Sequence, residues 1–390
     1  KNVPNKIKFE DFDKISVTND SFVEVYSKLD DNVLNKLTIN TVGRNDAPFW
    51  QNLFKSFNIT IKEGDKITSY SHILNKLKNN SKNLIINRDF EIGYNIIGKN
   101  FIIDKGEMTA PQLFKVERYT GITSLESDLS TAQITVRSSR EIFLLVLLGI
   151  YSSFVITTRI LDKTSYYFLF LSPEETTKLI YERNINLIDA IFRVKDKIKE
   201  SLKDILDYAQ LSPESLIIET LLNLSFIETL EKSNLDKISL ILFRIDHEKQ
   251  TYKIYDQLPI YVYRRSPVYE ILDKYFNKKE EFCEEIIKVL SKRGIIGKSL
   301  INYIGIKEDE TQRKRKKKKQ KEEVKEAPAL LRAIKELYRF VVFADASGLF
   351  GFLRNLQDAV NILRAENKRL DDMKRYVELI SKIEYYARKY

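Results

Sequence analysis

Thiol and imidazole groups are scarce here: 390 residues contain one Cys and two His. His72 follows Ser71 in a helix-like stretch, and His247 falls in a predicted hairpin turn. Neither has a second His or Cys at ligand spacing. Cys283 lies on a predicted helix, Glu281 to Arg293, beside Phe282 and one turn before Ile286. That setting predicts a small buried side chain rather than a nucleophile. Gly297-Lys298-Ser299 ends like a phosphate-binding loop, but Lys292 stands where that loop requires Gly. An amphipathic helix, not a strand, precedes it, so ATP binding is rejected. Gly294 is expected to cap that helix after Lys292-Arg293. Carboxylates are plentiful, and residue types alone leave metal-dependent nuclease chemistry open. The densest groups are Asp371-Asp372 and Glu308-Asp309-Glu310. Adjacent acids on a helix point in different directions, so capping and surface charge are expected of them. No cofactor and no metal site is expected.

Polyanion binding suits the residues better. The run Arg313-Lys314-Arg315-Lys316-Lys317-Lys318-Lys319 places seven cations in a row. The net charge of +10 is unevenly spread: residues 1–312 hold 44 Lys/Arg against 44 Asp/Glu, and residues 313–390 hold 21 against 11. Adjacent like charges repel and cannot pack, so a solvated linker is predicted. Three uses fit it: gripping phosphates with counterion release, keeping the chain soluble, or, in a eukaryotic context, nuclear localisation. Tyr261-Val262-Tyr263-Arg264-Arg265 interleaves aromatics with cations. On a strand, Tyr261, Tyr263 and Arg265 share one face. That face either stacks on bases or turns inward, and burial of the Tyr face is favoured.

The elements that must carry these groups predict an α+β fold. Residues 1–140 form a mixed region, with strand-like runs at Leu84-Ile85-Ile86, Tyr94-Asn95-Ile96-Ile97 and Phe101-Ile102-Ile103 between polar turns. Residues 141–306 form a central region. Its apolar stretch Ile142 to Ile156 is too short for a membrane span and predicts a buried helix. Tyr166 to Leu171 reads as a strand. Ser172-Pro173-Glu174-Glu175 reads as a helix start with a complete capping box, and Ser212-Pro213 and Ser266-Pro267 open two more helices. Ile238 to Phe243 and Thr251 to Tyr255 predict a β-hairpin. Residues 307–327 are the basic linker. Residues 328–390 predict a three-helix bundle with stripes at Leu330, Ile334, Leu337, Val341; at Phe352, Leu356, Val360, Leu363; and at Met373, Val377, Ile380, Ile383. The break between the first two is placed at Asp345-Ala346-Ser347-Gly348. With a lone cysteine and no secretory signal, a reducing cytoplasmic compartment is expected. Abundant Lys with scarce Cys and Met fits a thermophile.

Four segments, Gly106 to Ser127 (GEMTAPQLFKVERYTGITSLES), the apolar helix Leu144 to Ser153, Tyr166 to Glu175 (YYFLFLSPEE) and Leu258 to Tyr275 (LPIYVYRRSPVYEILDKY), together resemble the large-subunit family of archaeal type I-A CRISPR interference (Cascade) complexes. This is the Csa branch of the Cas-eight-like proteins. They cover the middle half of the chain. The first 100 residues and the basic linker fall outside them. Whether the C-terminal bundle is the family's own or an attached module stays open. The resemblance implies a non-catalytic subunit that joins backbone and small subunits around a guide RNA, with no membrane involved. It would bind double-stranded and single-stranded DNA and recognise the short motif beside the target, while a separate nuclease-helicase is recruited to cut. Pairing to the guide supplies sequence specificity and the protein reads flanking duplex. No shared motif fixes the reading residues. Chemistry nominates polar N-terminal turns: Arg44, Asn45, Lys78, Asn79, Asn80, Lys82, Asn83, Lys99 and Asn100, whose amides and cations can enter a groove. Arg264, Arg265 and Arg313 to Lys319 complete the nucleic-acid-binding set. A metal-dependent nuclease and a protein-binding scaffold subunit of another nucleoprotein complex are the alternatives.

Overall fold

The computed structural model describes residues 6–7, 19–61, 67–86, 94–97, 100–115, 135–160, 163–182, 184–206, 213–248, 251–264, 267–291, 293–312, 324–367 and 369–387. Arg313 to Lys319, Arg265, Lys99, Ser212, Ser266 and residues 116–127 of the first resembling segment lie outside them. The described elements form an α+β protein of two compact units, Lys1–Phe170 with Leu242–Gln257, and Leu171–Ile241 with Leu258–Tyr390.

In the first unit, strand β1 (Lys6–Ile7) precedes four helices: α1 (Asn19–Ser27), α2 (Asp31–Lys36), α3 (Ala47–Ser56) and α4 (Tyr70–Asn79). Their starts follow capping chemistry. The Asp30 carboxylate accepts from the Asn32 amide at 2.7 Å, and the Ser69 hydroxyl accepts from the His72 amide at 3.3 Å. Tyr26, Trp50, Leu53, Phe54, Tyr70, Ile73 and Leu77 fill the core between them. Full burial of such side chains contributes about 1.5–3 kcal/mol each. Strands β2 (Tyr94–Ile97), β3 (Asn100–Ile103), β4 (Met108–Thr109) and β5 (Thr135–Ser138) join β1 in a sheet of order β1-β2-β3-β5-β4. Only its β3–β5 pair is parallel. Leu84-Ile85-Ile86 is not a strand. It follows a 3₁₀ turn at Ser81–Asn83 as irregular chain, with Leu84 and Ile86 buried, so burial alone explains its apolar residues.

The apolar stretch from Ile142 divides. Helix α5 (Arg140–Ser153) takes the Leu-rich part, and strand β6 (Phe154–Ile160) begins where Val155, Ile156, Thr157 and Thr158 make the chain β-branched. The Tyr26 hydroxyl donates to the Leu144 carbonyl at 2.8 Å and ties α1 to α5. Strand β7 (Lys163–Leu171) pairs antiparallel with β6.

Helices α6 (Pro173–Glu182), α7 (Ile185–Leu206), α8 (Pro213–Leu222) and α9 (Leu224–Lys232) belong to the second unit. Pro173 and Pro213 open α6 and α8 as expected. The capping box of α6 is half formed. Ser172 accepts from the Glu175 amide at 3.1 Å, but the Glu175 carboxylate accepts from the Ser239 amide at 3.2 Å. Strands β8 (Lys237–Glu248) and β9 (Thr251–Tyr263) are hydrogen-bonded neighbours joined across two residues, completing a sheet of order β6-β7-β8-β9. The predicted hairpin is thus present and longer. His247 lies on β8, not in the turn, stacked between Tyr166 and Tyr252 at 6.3 and 4.6 Å.

Helices α10 (Pro267–Tyr275), α11 (Lys279–Leu290), α12 (Ile295–Gln312), α13 (Ala327–Phe343), α14 (Ala346–Glu366) and α15 (Leu370–Tyr386) complete the second unit. Residues 307–312, assigned to the linker, are the last turns of α12, and α13 begins at Ala327 behind a buried Val324. The first two stripes of the C-terminal helices are buried as predicted. In the third, Ile383 is buried and Met373 and Ile380 pack against the core, but Val377 is exposed, and Tyr376 and Leu379 are buried beside them. Tyr376 has a hydrogen-bonding hydroxyl that a purely apolar stripe overlooks. The three helices are no separate bundle. Their core includes Leu222, Leu272, Phe282, Ile286 and Leu300 from α8, α10, α11 and α12.

Candidate nucleic-acid interface

Three of the N-terminal candidates, Lys78, Asn80 and Asn83, have local side-chain partners. Lys78 lies 2.6 Å from Asp31. The Asn80 amide donates to the Lys76 carbonyl at 2.8 Å and closes α4, and Asn83 donates to the Asn58 carbonyl at 3.4 Å. Asn100 opens β3, opposite Ile97 and beside Thr135. Arg44, Asn79 and Lys82 are exposed. Asn45, on a 3₁₀ turn before α3, lines a polar cavity of about 550 Å³ with Asn52, Thr109, Lys115 and Arg140. The Arg140 guanidinium is committed: it lies 3.0 Å from Glu141, donates to the Ser56 carbonyl and covers the Phe57 ring at 4.7 Å. The cavity also contains Glu107, which opposes an anion.

The second unit carries a different kind of site. Alternation along β9 buries Ile260 and Val262 and turns Tyr261 and Tyr263 outward, 41% and 37% exposed. The expected inward Tyr face is therefore reversed: branched aliphatics take the core and the amphipathic rings take the surface. The two rings lie 6.5 Å apart at 26°. They edge a cavity of about 640 Å³, closed by Leu221 of α8, Pro259, Pro267, and Tyr338, Val341 and Val342 of α13. Its size lies within the range of small-ligand sites. Tyr338 meets the ring of Phe343 edge-on at 6.0 Å, and Phe343 is exposed. Arg264 follows directly, but its side chain pairs with Asp236 and its amide donates to the Asp236 carbonyl at 2.8 Å.

Sequence reasoning found Tyr261 and Tyr263 and missed the α13 wall. Val341 was assigned to the core stripe, and it is both buried and cavity-lining. A Tyr-x-x-Val-Val spacing on a helix carries no signal that a strand from elsewhere in the chain approaches it.

Cys283, Glu219 and Lys195 are buried. Burial pushes the Cys283 thiol up to about 12. Burial raises the Glu219 carboxyl on α8 to about 8 and lowers Lys195 on α7 to about 8. Gly294 is not a C-cap. Helix α11 ends at Leu290, and Gly294 leads into α12, its carbonyl accepting from Lys298 at 2.9 Å. A Cβ on Gly294 would meet the Lys288 carbonyl at 2.2 Å, so this glycine permits close approach of the two helices. Gly297-Lys298-Ser299 falls in the first turns of α12 after a helix, and buried Ser299 bonds the Tyr376 hydroxyl at 3.1 Å. Asp371 and Asp372 occupy the first turn of α15, where acids complement the helix dipole. Among the described residues no three His, Cys, Asp or Glu side chains are grouped to hold a metal ion. No helix among them is long and apolar enough to cross a membrane.

No family model matches the chain, and no solved structure matches it. A protein of Archaeoglobus fulgidus that bears the description "Uncharacterized protein" is 39% identical over 316 residues, covering 80% of this chain and 76% of its own length. With that identity sustained over most of both chains, this protein belongs to one family with the Archaeoglobus fulgidus protein.

Proposed function

We propose that this chain is the non-catalytic large subunit of an archaeal type I-A CRISPR RNA-guided surveillance complex, binding target DNA and its flanking motif in antiviral defence. Four segments that resemble that family support the reading, and the archaeal source of the relative agrees with it. The observation that carries it is the exposed Tyr261–Tyr263 face on the segment Leu258 to Tyr275. In the sequence it is followed by residues 313–390, with their 21 Lys/Arg against 11 Asp/Glu. Strand binding without sequence preference needs this pairing of cations for phosphates with aromatic faces for bases. Arg44, Asn45, Asn79 and Lys82 supply polar groups for groove contacts. The subunit then works in the cytoplasm beside a guide RNA, backbone and small subunits, and a recruited nuclease-helicase.

The test is titration of the purified chain with duplex and single-stranded DNA over a range of salt, with parallel incubation in Mg²⁺ or Mn²⁺. Salt-sensitive binding without cleavage is expected. Reproducible cleavage abolished by one Asp substitution would replace this reading with a metal-dependent nuclease. Absence of DNA affinity at low salt, alone and in complex, would replace it with a protein-binding scaffold.

A further inference from the structure

We propose that the outer face of α14 lies along duplex DNA, with Arg354 and Arg364 on phosphates and Gln357 and Asn361 over the groove between them. The inference rests on the DNA-binding reading above, but not on the CRISPR assignment within it.

Helical periodicity makes this face. Phe352, Leu356, Ala359, Val360 and Leu363 are buried and hold α14 against its neighbours. Arg354, Gln357, Asn361 and Arg364, three or four residues apart, are exposed on the side away from that core. The row alternates no charge: it has two guanidiniums, two neutral amides and no carboxylate.

The acids of this helix are drawn off to other cations. Asp345, its N-cap, lies 2.6 Å from Arg339, Asp358 lies 3.9 Å from Arg332, and Glu366 lies 2.7 Å from Lys325. Each of those cations comes from α13 or the turn before it. Among the described residues, Arg354 and Arg364 have no carboxylate partner of their own. Arg364, in the last turn, complements the helix dipole. That reason does not reach Arg354 in the middle of the helix. The Gln357 amino group donates to the Asn361 carbonyl oxygen at 3.3 Å, which leaves the Gln357 carbonyl and the Asn361 amino group for a ligand.

The spacing selects a duplex. Ten residues of α-helix separate the two arginines by about 15 Å along the axis, and the major groove of B-DNA is about 12 Å wide. Two long guanidinium side chains at that separation reach phosphates on both rims of one groove. The amides between them then meet sugars or base edges. An RNA duplex offers a deep, narrow major groove instead. A single strand calls for aromatic faces along the row, and none stands between Arg354 and Arg364. Phe350, 72% exposed one turn before Arg354, ends the row with an apolar ring. An acidic protein surface is therefore the rival occupant.

The experiment titrates the full chain with a DNA duplex over a range of salt. Arg354→Gln combined with Arg364→Gln should weaken binding and lower the salt slope by about 1.8, since each lost phosphate contact removes about 0.9. Arg354→Lys with Arg364→Lys should keep the slope. Lys374→Gln with Arg375→Gln removes equal charge from the exposed side of α15, and should leave the slope unchanged. A second readout locates the contact. Cys283 is buried and is the one cysteine, so Asn361→Cys accepts a photocross-linker selectively. It should cross-link to duplex DNA, whereas Ser381→Cys on α15 should not. Equal slope losses in the two Gln pairs, or no cross-link from position 361, would overturn the α14 interface and leave the DNA-binding reading standing. No binding of wild type to duplex or single-stranded DNA at low salt would overturn both. Tighter binding of an RNA duplex would overturn the choice of DNA. Polyglutamate that blocks the cross-link as well as unlabelled duplex does would give the face to an acidic protein and overturn the proposal.

Discussion

Arg369 places a guanidinium nitrogen 2.6 Å from the carboxylate of Glu326, a side chain with almost no exposed surface. The same guanidinium lies 2.6 Å from Asp372 and donates to the Ser299 hydroxyl at 3.2 Å. Arg369 itself holds a left-handed backbone angle, φ 53°, at the start of α15. One cation therefore joins the start of α12, which precedes the basic run in the chain, to those of α13 and α15, which follow it. Removing it would strand a buried carboxylate, which costs about 3 kcal/mol. Urea unfolding of Arg369→Ala should show a loss of about that size, with a smaller loss in Arg369→Ala combined with Glu326→Gln. A loss near zero would mean that water satisfies Glu326.

Cys283 is expected to be inert in the folded protein. Its thiol is pushed up to about 12, chiefly by burial, and only the thiolate reacts. Iodoacetamide at pH 8 should label it at the rate of global unfolding, and should label denatured protein fast. Rapid labelling of native protein would show that α11 opens locally.

Stability should depend on pH through Glu219. Burial raises its carboxyl from 4.5 to about 8. The folded state keeps a proton there that the unfolded state releases between those values. This contribution is full below the lower value and is lost as pH rises through the window. Lys195, lowered by burial from 10.5 to about 8, acts in the next window and with opposite sign: stability recovers as pH rises between those values. Denaturant unfolding at pH 5 and pH 8 should show Glu219→Gln gaining on wild type at the higher pH. No change in their difference would assign the pH response elsewhere.

The basic run should set the salt dependence of DNA binding. Replacing Arg313 to Lys319 by Gln should weaken affinity and flatten the plot of log affinity against log salt, by about 0.7–0.9 for each phosphate that is no longer neutralised. An unchanged slope in filter binding would reduce the run to a solubilising segment.

What was legible in the sequence was local chemistry. Pro173, Pro213 and Pro267 marked helix starts, alternating residues marked β9, and 3.6-residue stripes marked α13 and α14. Composition could not say which face of β9 would find the core, because Tyr suits both environments and only the neighbours of Ile260 and Val262 decide. The third stripe missed Tyr376 for a similar reason: it reads as amphipathic, yet a hydroxyl with Ser299 as partner can be buried, while Val377 is left exposed. The cavity was illegible because α8, β9 and α13 are remote in sequence and meet only through tertiary packing.

The most direct test of the central claim is to purify the tagged full-length chain from its native cells and sequence the RNA that accompanies it. The account predicts short RNAs with a constant flank and a variable middle, recovered together with repeated backbone subunits. Purified chain carrying no such RNA, from cells that contain it, would contradict the account.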